Sequence, residues 1–173
     1  MDKIYFAKTK PNAIIPTKLK EDAGYDLYAC FEEDFLEIKP HETKLVPTGI
    51  AWASSPKYYL QIEERGSTGS KGIKKSGGVF DSGYRGEILI IVSNVNDKSI
   101  IISKLSEEEL STTYPQVIHT DIHKSYILYP YTKAIAQGVV HIVPDLEVEE
   151  LPYDKLKEIK SNRGMGAFGS SNK

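Results

Sequence analysis

Apolar residues in this chain arrive in short bursts rich in Val, Ile, Tyr and Phe, and most bursts are cut within a few residues by Pro, Gly, Asn or Asp. Side chains of the first kind fit a pleated, half-buried surface and those of the second favour turns, so the rhythm predicts many short strands and few helices. The predicted strands are "KIYFAK", "GYDLYA", "TKLVPTGIAW", "YYLQIE", "EILIIVSNV", "SIIIS" and "AIAQGVVHIV". The runs "ILIIV" and "VVHIV" are continuously apolar, as expected of strands that line a sandwich core. With 173 residues and 40% apolar content there is enough chain for one core. An all-β barrel or jelly roll is the expected fold.

One stretch departs from the even spacing. "NDKSIIISKLSEEELSTTYPQVIHTDIHKS", residues 96–125, is more polar than its flanks and reads as an insertion, with Ser106 and Glu109 at capping-box spacing for one short helix. The expected organisation is a single β domain over 1–160 that carries this insertion, followed by a flexible, glycine-containing tail over 161–173. A formal net charge of -2 gives no overall field for nucleic acid or an anionic membrane, so anion recognition must be local. The single cysteine, Cys30, has no partner within the chain, and "MDKIYFAKTK" has no apolar core of a signal peptide. These features lead us to expect a soluble protein of the reducing cytoplasm.

Two glycine-bearing stretches carry most of the chemical information. "EERGSTGSKGIKKSGG" has the small residues that let backbone N–H groups approach phosphate, but the G-x-x-x-x-G-K-S/T spacing fails, because Lys71 follows Gly66 by five places. A solvated hairpin turn accounts for it equally well on composition. In "GGVFDSGYRGE", Asp81 falls where a strand ends and Tyr84 just beyond. Asp81 either closes a turn through its side chain or orients a water for hydrolysis without a covalent intermediate. "HTDIH" would put His119, Asp121 and His123 on one face of a strand, yet its polar setting favours a solvated face over a zinc site. One cysteine is too few for a zinc deaminase, and no G-x-S-x-G elbow is present.

Five stretches in order, "DAGYDLYA", "ERGSTGSKG", "GGVFDSGYRGE", "AIAQ" and "RGMGAFGSS", resemble the ordered motifs of the trimeric dUTP diphosphatase family and extend from Asp22 to Ser171. The resemblance implies a distorted jelly-roll homotrimer with sites shared between subunits. It implies hydrolysis of dUTP to dUMP and pyrophosphate by water attack on the α-phosphorus, with Mg2+ held by the phosphates. Such activity limits uracil in DNA and supplies dUMP for thymidylate synthesis. By the same resemblance Asp26 supports the water shell of the metal, and Arg65, Gly66, Ser67 and Gln137 face the phosphates. Asp81 orients the attacking water, Tyr84 packs under the deoxyribose, and the hairpin from Lys75 to Gly78 reads uracil through its backbone. In the tail, Arg163 reaches the γ-phosphate, Phe168 stacks on uracil, and Gly169, Ser170 and Ser171 close over the phosphates as a lid.

Three positions depart from that pattern. Gly66 stands where the family commonly has Ser, so either Ser67 takes the substitute role, as assigned above, or only the backbone N–H remains. Ala134, beside Lys133, stands where an Arg usually precedes Ile-Ala-Gln. The 56 positions from Asp81 to Gln137 exceed the usual separation, as in some phage-type members, and the insertion accounts for the excess. A dCTP deaminase of the same superfamily is disfavoured by the intact "FDSGYRGE" and the Phe-containing tail. A ligand-gated binding role, with a protein partner at the insertion, is the alternative from another class.

Overall fold

The structure is a computed structural model and describes residues 3–118 and 126–166. The chain divides into two compact units, Met1–Val143 and Pro144–Lys173, so the first unit ends with the last strand, ahead of the boundary expected at 160/161. Among the described residues it contains twelve strands. They are β1 (Tyr5–Lys8), β2 (Gly24–Leu27), β3 (Phe35–Ile38), β4 (Thr43–Pro47), β5 (Ile50–Ala53), β6 (Tyr58–Glu63), β7 (Ile73–Lys75), β8 (Val79–Phe80), β9 (Leu89–Asn94), β10 (Ser99–Ser103), β11 (Tyr126–Pro130) and β12 (Ala136–Ile142). Two short helices interrupt them, α1 (Gly66–Gly69) and α2 (Glu107–Thr113).

Four small sheets result, in the orders β1-β5, β11-β10-β3, β2-β12-β6-β8 and β4-β9-β7. All four contribute to one core that includes Trp52, Ile38, Leu60, Ile90, Ile100 and Tyr129. This is the expected all-β jelly roll, in which alternate residues of each strand turn inward. "YYLQIE" and "SIIIS" match β6 and β10 end to end. "TKLVPTGIAW" is instead two strands, β4 and β5, split by Gly49 at φ +65, where a Cβ would come within 2.7 Å of the Ala13 Cβ. β3, β7 and β11 have no counterpart among the predicted strands. β11 is an edge strand, and that is why it tolerates Pro130.

The expected polar insertion over 96–125 needs correction at its start. β10 is the central strand of its sheet, and Ile100, Ile101 and Ile102 are at most 1% exposed, so this portion belongs to the core. β10 and β11 pair in parallel, with Ser99 opposite Tyr126 and Ser103 opposite Pro130. Parallel neighbours cannot be joined by a tight turn and need a crossover of a dozen or more residues, which is the topological place of α2. Polar composition concealed this because a crossover helix exposes most of its surface. Its buried side, Leu110 with Ile118, packs on Ile101 and Tyr126 as a second small core.

The expected capping box starts α2: the Ser106 amide donates to Glu109 Oε2 at 2.7 Å and the Glu109 amide to Ser106 Oγ at 3.2 Å. The Ser106 amide holds the Glu109 carboxyl below its ordinary value, helped by the Ser106 hydroxyl. Tyr126 donates to Glu107 Oε1 at 2.6 Å, and burial, reinforced by that bond, pushes its phenol up to about 12. His119, Asp121 and His123 lie outside the described residues.

The second unit contains α3 (Tyr153–Glu158), with Lys157 paired to Asp154 at 2.6 Å and Lys155 to Glu158 at 3.0 Å. No helix among the described residues is long and apolar enough to cross a membrane.

Candidate active site

β12 lies between β2 and β6, and this order gathers residues distant in sequence. Gln137 stands opposite Asp26 on one side and Glu63 on the other. The Gln137 amide group donates from Nε2 to the Glu64 carbonyl at 2.9 Å, and Gly24 leaves room for it, since a Cβ there would fall 2.5 Å from Gln137 Oε1. Just past the end of β6, Arg65 caps the start of α1. Thr68, fully buried, fixes that turn by accepting from the Arg65 amide at 3.1 Å and donating to the Arg65 carbonyl at 2.9 Å. The guanidinium reaches Asp26 Oδ1 through Nε at 3.0 Å and the Ala134 carbonyl through Nη1 at 3.2 Å.

Asp26, Arg65 and Gln137 therefore form one cluster at the mouth of this sheet, with Gly66 and Ser67 exposed beside them. Gly66 is neither in the left-handed region nor crowded: a Cβ there meets nothing within 4 Å. Ala134 keeps its main chain in the cluster although its side chain is buried and short. The sequence reading missed Tyr129, a buried residue whose hydroxyl donates to that same carbonyl at 2.7 Å.

A second cluster forms around the connection between β7 and β8, which lie in different sheets. Lys75 Nζ pairs with Glu63 Oε2 at 3.2 Å, and its amide donates to Glu64 Oε1 at 3.3 Å. Gly78 at φ +144 lies so close to β6 that a Cβ would approach the Ile62 Cβ to 2.8 Å, and its carbonyl accepts from the Ile62 amide at 2.8 Å. Directly after β8, the Asp81–Tyr84 turn is closed by the Tyr84 amide on the Asp81 carbonyl at 3.1 Å. The Asp81 carboxylate is exposed and no group among the described residues bonds it, so its side chain is not what closes the turn. Tyr84 packs against Phe80 with ring centroids 5.7 Å apart and donates to the Glu87 carbonyl at 3.1 Å.

Within the second cluster Lys75 and Gly78 lie beside Glu63 and Ile62, near Arg65, whereas Asp81 and Arg65 leave β6 in opposite directions. Phe80 is opposite Leu60, so Asp81 runs on toward the start of the strand while Arg65 follows its end. Six residue steps of extended chain separate the two levels, roughly 20 Å at the usual rise of a strand. In the second unit, Arg163 sits in a turn of its own: its amide and that of Gly164 donate to Ser161 Oγ at 3.2 and 3.1 Å, and Nε donates to the Gly166 carbonyl at 2.8 Å. Phe168, Gly169, Ser170 and Ser171 lie outside the described residues.

A family model for dUTPase matches residues 10–106, more than half of the chain and the interval that contains Asp26, Arg65, Asp81 and Tyr84. The chain belongs to the dUTPase family. Gln137 and Arg163 fall beyond that interval but within the likeness to the deoxyuridine 5'-triphosphate nucleotidohydrolase of Nautilia profundicola, 31% identical over 175 residues and 99% of each chain. The enzyme of the same name from Leptospira interrogans is 38% identical over 104 residues, covering 58% of this chain and 71% of the relative. Among solved structures, the dUTPase of Staphylococcus bacteriophage 80alpha with dUPNHPP matches 98% of both chains with a TM-score of 0.72 at 22% identity, a likeness of fold.

Proposed function

We propose that this dUTPase-family chain hydrolyses dUTP to dUMP and pyrophosphate at a site assembled from more than one copy of itself, in a homotrimer. The observation that carries the reading is the separation of Asp81 from Arg65 along β6. A base and a phosphate-binding arginine roughly 20 Å apart along a strand are poorly placed to meet on one α-phosphorus, so in this reading the Asp81 of one copy serves the Arg65 of another.

In this reading the exposed Asp81 carboxylate accepts a proton from the water that attacks the α-phosphorus. Arg65, Gln137, Ser67 and the Gly66 amide hold the phosphates, with Arg163 on the γ-phosphate. Tyr84 underlies the deoxyribose and leaves no volume for a 2′-hydroxyl, which disfavours UTP. The Lys75–Gly78 backbone reads uracil, and its close seat against Ile62 supports rejection of the methyl group of dTTP by size. Phe168 covers the base, while Gly169, Ser170 and Ser171 close over the phosphates and exclude water.

The donor set fits a magnesium ion carried by the nucleotide better than one held by the protein. Among the described residues no three His, Cys, Asp or Glu side chains cluster, and Asp26 has Oδ1 engaged by Arg65 with its other oxygen open to a hydrated ion. Bound in that way, magnesium supplies charge neutralisation on the triphosphate.

Incubation with dUTP, dTTP, dCTP or UTP and magnesium, with pyrophosphate as readout, tests the activity: release from dUTP alone is expected, and ammonia from dCTP would overturn it. Mixing inactive Asp81→Asn and Arg65→Ala chains after subunit exchange tests the shared site. Activity should reappear in the mixture, and its absence would show that each chain works alone.

A further inference from the structure

Arg65 is held from two directions, by Asp26 at Nε and by the Ala134 carbonyl at Nη1. The second contact depends on how firmly that carbonyl is placed. It belongs to the segment between β11 and β12, in a peptide whose other end, the Ile135 amide, donates to the Leu27 carbonyl of β2 at 2.8 Å, and the carbonyl oxygen itself accepts from the hydroxyl of Tyr129 at 2.7 Å. Tyr129 is 1% exposed and lies in the main core, so its ring has a fixed seat. A carbonyl oxygen has two lone pairs and can accept from phenol and guanidinium together. Burial raises the phenol above its ordinary value, so it keeps the proton that it donates. One buried hydroxyl thus meets the main chain of the Ile-Ala-Gln motif at the carbonyl that also receives Arg65.

We propose that Tyr129 is a positioning residue for Arg65: its hydroxyl pins the Ala134 carbonyl, and the pinned carbonyl sets the direction of the guanidinium toward the phosphates. A planar, five-donor guanidinium binds phosphate strongly only when its plane is directed, so a carbonyl held through its peptide N–H alone would cost alignment rather than charge. A neutral phenol performs this without placing a second cation beside Arg65, as the arginine expected at position 134 would. The inference rests on the reading of Arg65 as a phosphate ligand.

The test is a double-mutant cycle with Tyr129→Phe and Arg65→Ala, reading the affinity for a non-hydrolysable dUTP analogue with magnesium by calorimetry at a temperature where all four proteins are folded. Tyr129→Phe keeps the buried ring and should weaken binding about 5- to 20-fold, the scale of one lost buried hydrogen bond. In the Arg65→Ala background the same change should have no further effect. In the wild type, the Arg65 Nη1 hydrogens should exchange slowly with solvent by nuclear magnetic resonance, and faster in Tyr129→Phe. Wild-type affinity in Tyr129→Phe beside a weakened Arg65→Ala would overturn the inference alone, as would equal losses in both backgrounds. Wild-type affinity in Arg65→Ala would overturn the phosphate reading and the inference with it.

Discussion

Excising residues 96–125 and excising residues 104–125 should give different proteins, although the two cuts differ by only eight residues. The longer cut removes β10, with Ile100, Ile101 and Ile102 at most 1% exposed. Each buried isoleucine is worth about 1.5–3 kcal/mol, so the three together contribute roughly 5–9 kcal/mol. Ordinary domains are stable by about 5–15 kcal/mol in all, and the cut also strands β3 and β11 without the strand between them. This chain should fail to fold. The shorter cut, bridged by about a dozen Gly and Ser residues so that the parallel β10–β11 pair can still be connected, removes Leu110 and Ile118 and uncovers Ile101 and Tyr126. Its loss should be about 3–6 kcal/mol, or a fall in Tm of roughly 6–24 °C for a domain of this size. Thermal melts followed by circular dichroism check both. If the chain lacking 96–125 melted within a few degrees of the parent, β10 would be dispensable and the assignment of Ile100–Ile102 to the core would be wrong.

Asp81→Asn should lower turnover by about 10²- to 10⁴-fold while nucleotide affinity and melting stay close to wild type, and a near-normal rate would remove Asp81 from the mechanism. Gly66→Ser, which restores the side chain common in the family, should be tolerated within about 0.5 kcal/mol, because a Cβ there meets nothing within 4 Å; a large loss in urea unfolding would mean that the glycine itself is required. Tyr126 has its phenol raised from 10.0 to about 12 in the folded protein. Its contribution is therefore complete below pH 10 and lost as the pH rises toward 12, so the stability gap between wild type and Tyr126→Phe should narrow over that window in urea titrations. A gap that stays constant would mean that neither burial nor the Glu107 bond raises the phenol.

The strands were legible where local pattern and burial agree. "YYLQIE" alternates between buried and half-exposed positions, and "SIIIS" is too apolar for any other place. β3 was hidden because Glu37 interrupts its four residues, and β11 because Pro130 reads as a terminator unless the strand is known to lie at an edge. The crossover was misread for a related reason. The exposed face of α2 dominates its composition, and Leu110 alone of its residues is buried. Whether β10 and β11 are parallel neighbours is a long-range fact with no local signature.

The same limit governs the site. Asp26, Arg65, Asp81 and Gln137 each stand out by residue type and motif, but their grouping is decided by sheet order and register. β12 between β2 and β6 brings Gln137 beside Asp26 and next to the turn that carries Arg65, across a gap of more than a hundred positions between Asp26 and Gln137. Asp81, only sixteen positions from Arg65, is sent to the far end of β6 because β8 runs antiparallel to it. Proximity in sequence is thus inverted in space, and in the proposed reading the two halves of the site are joined by lending each to another copy. Tyr129 falls outside this logic because its hydroxyl acts on a main-chain carbonyl, an arrangement that no motif records in side chains.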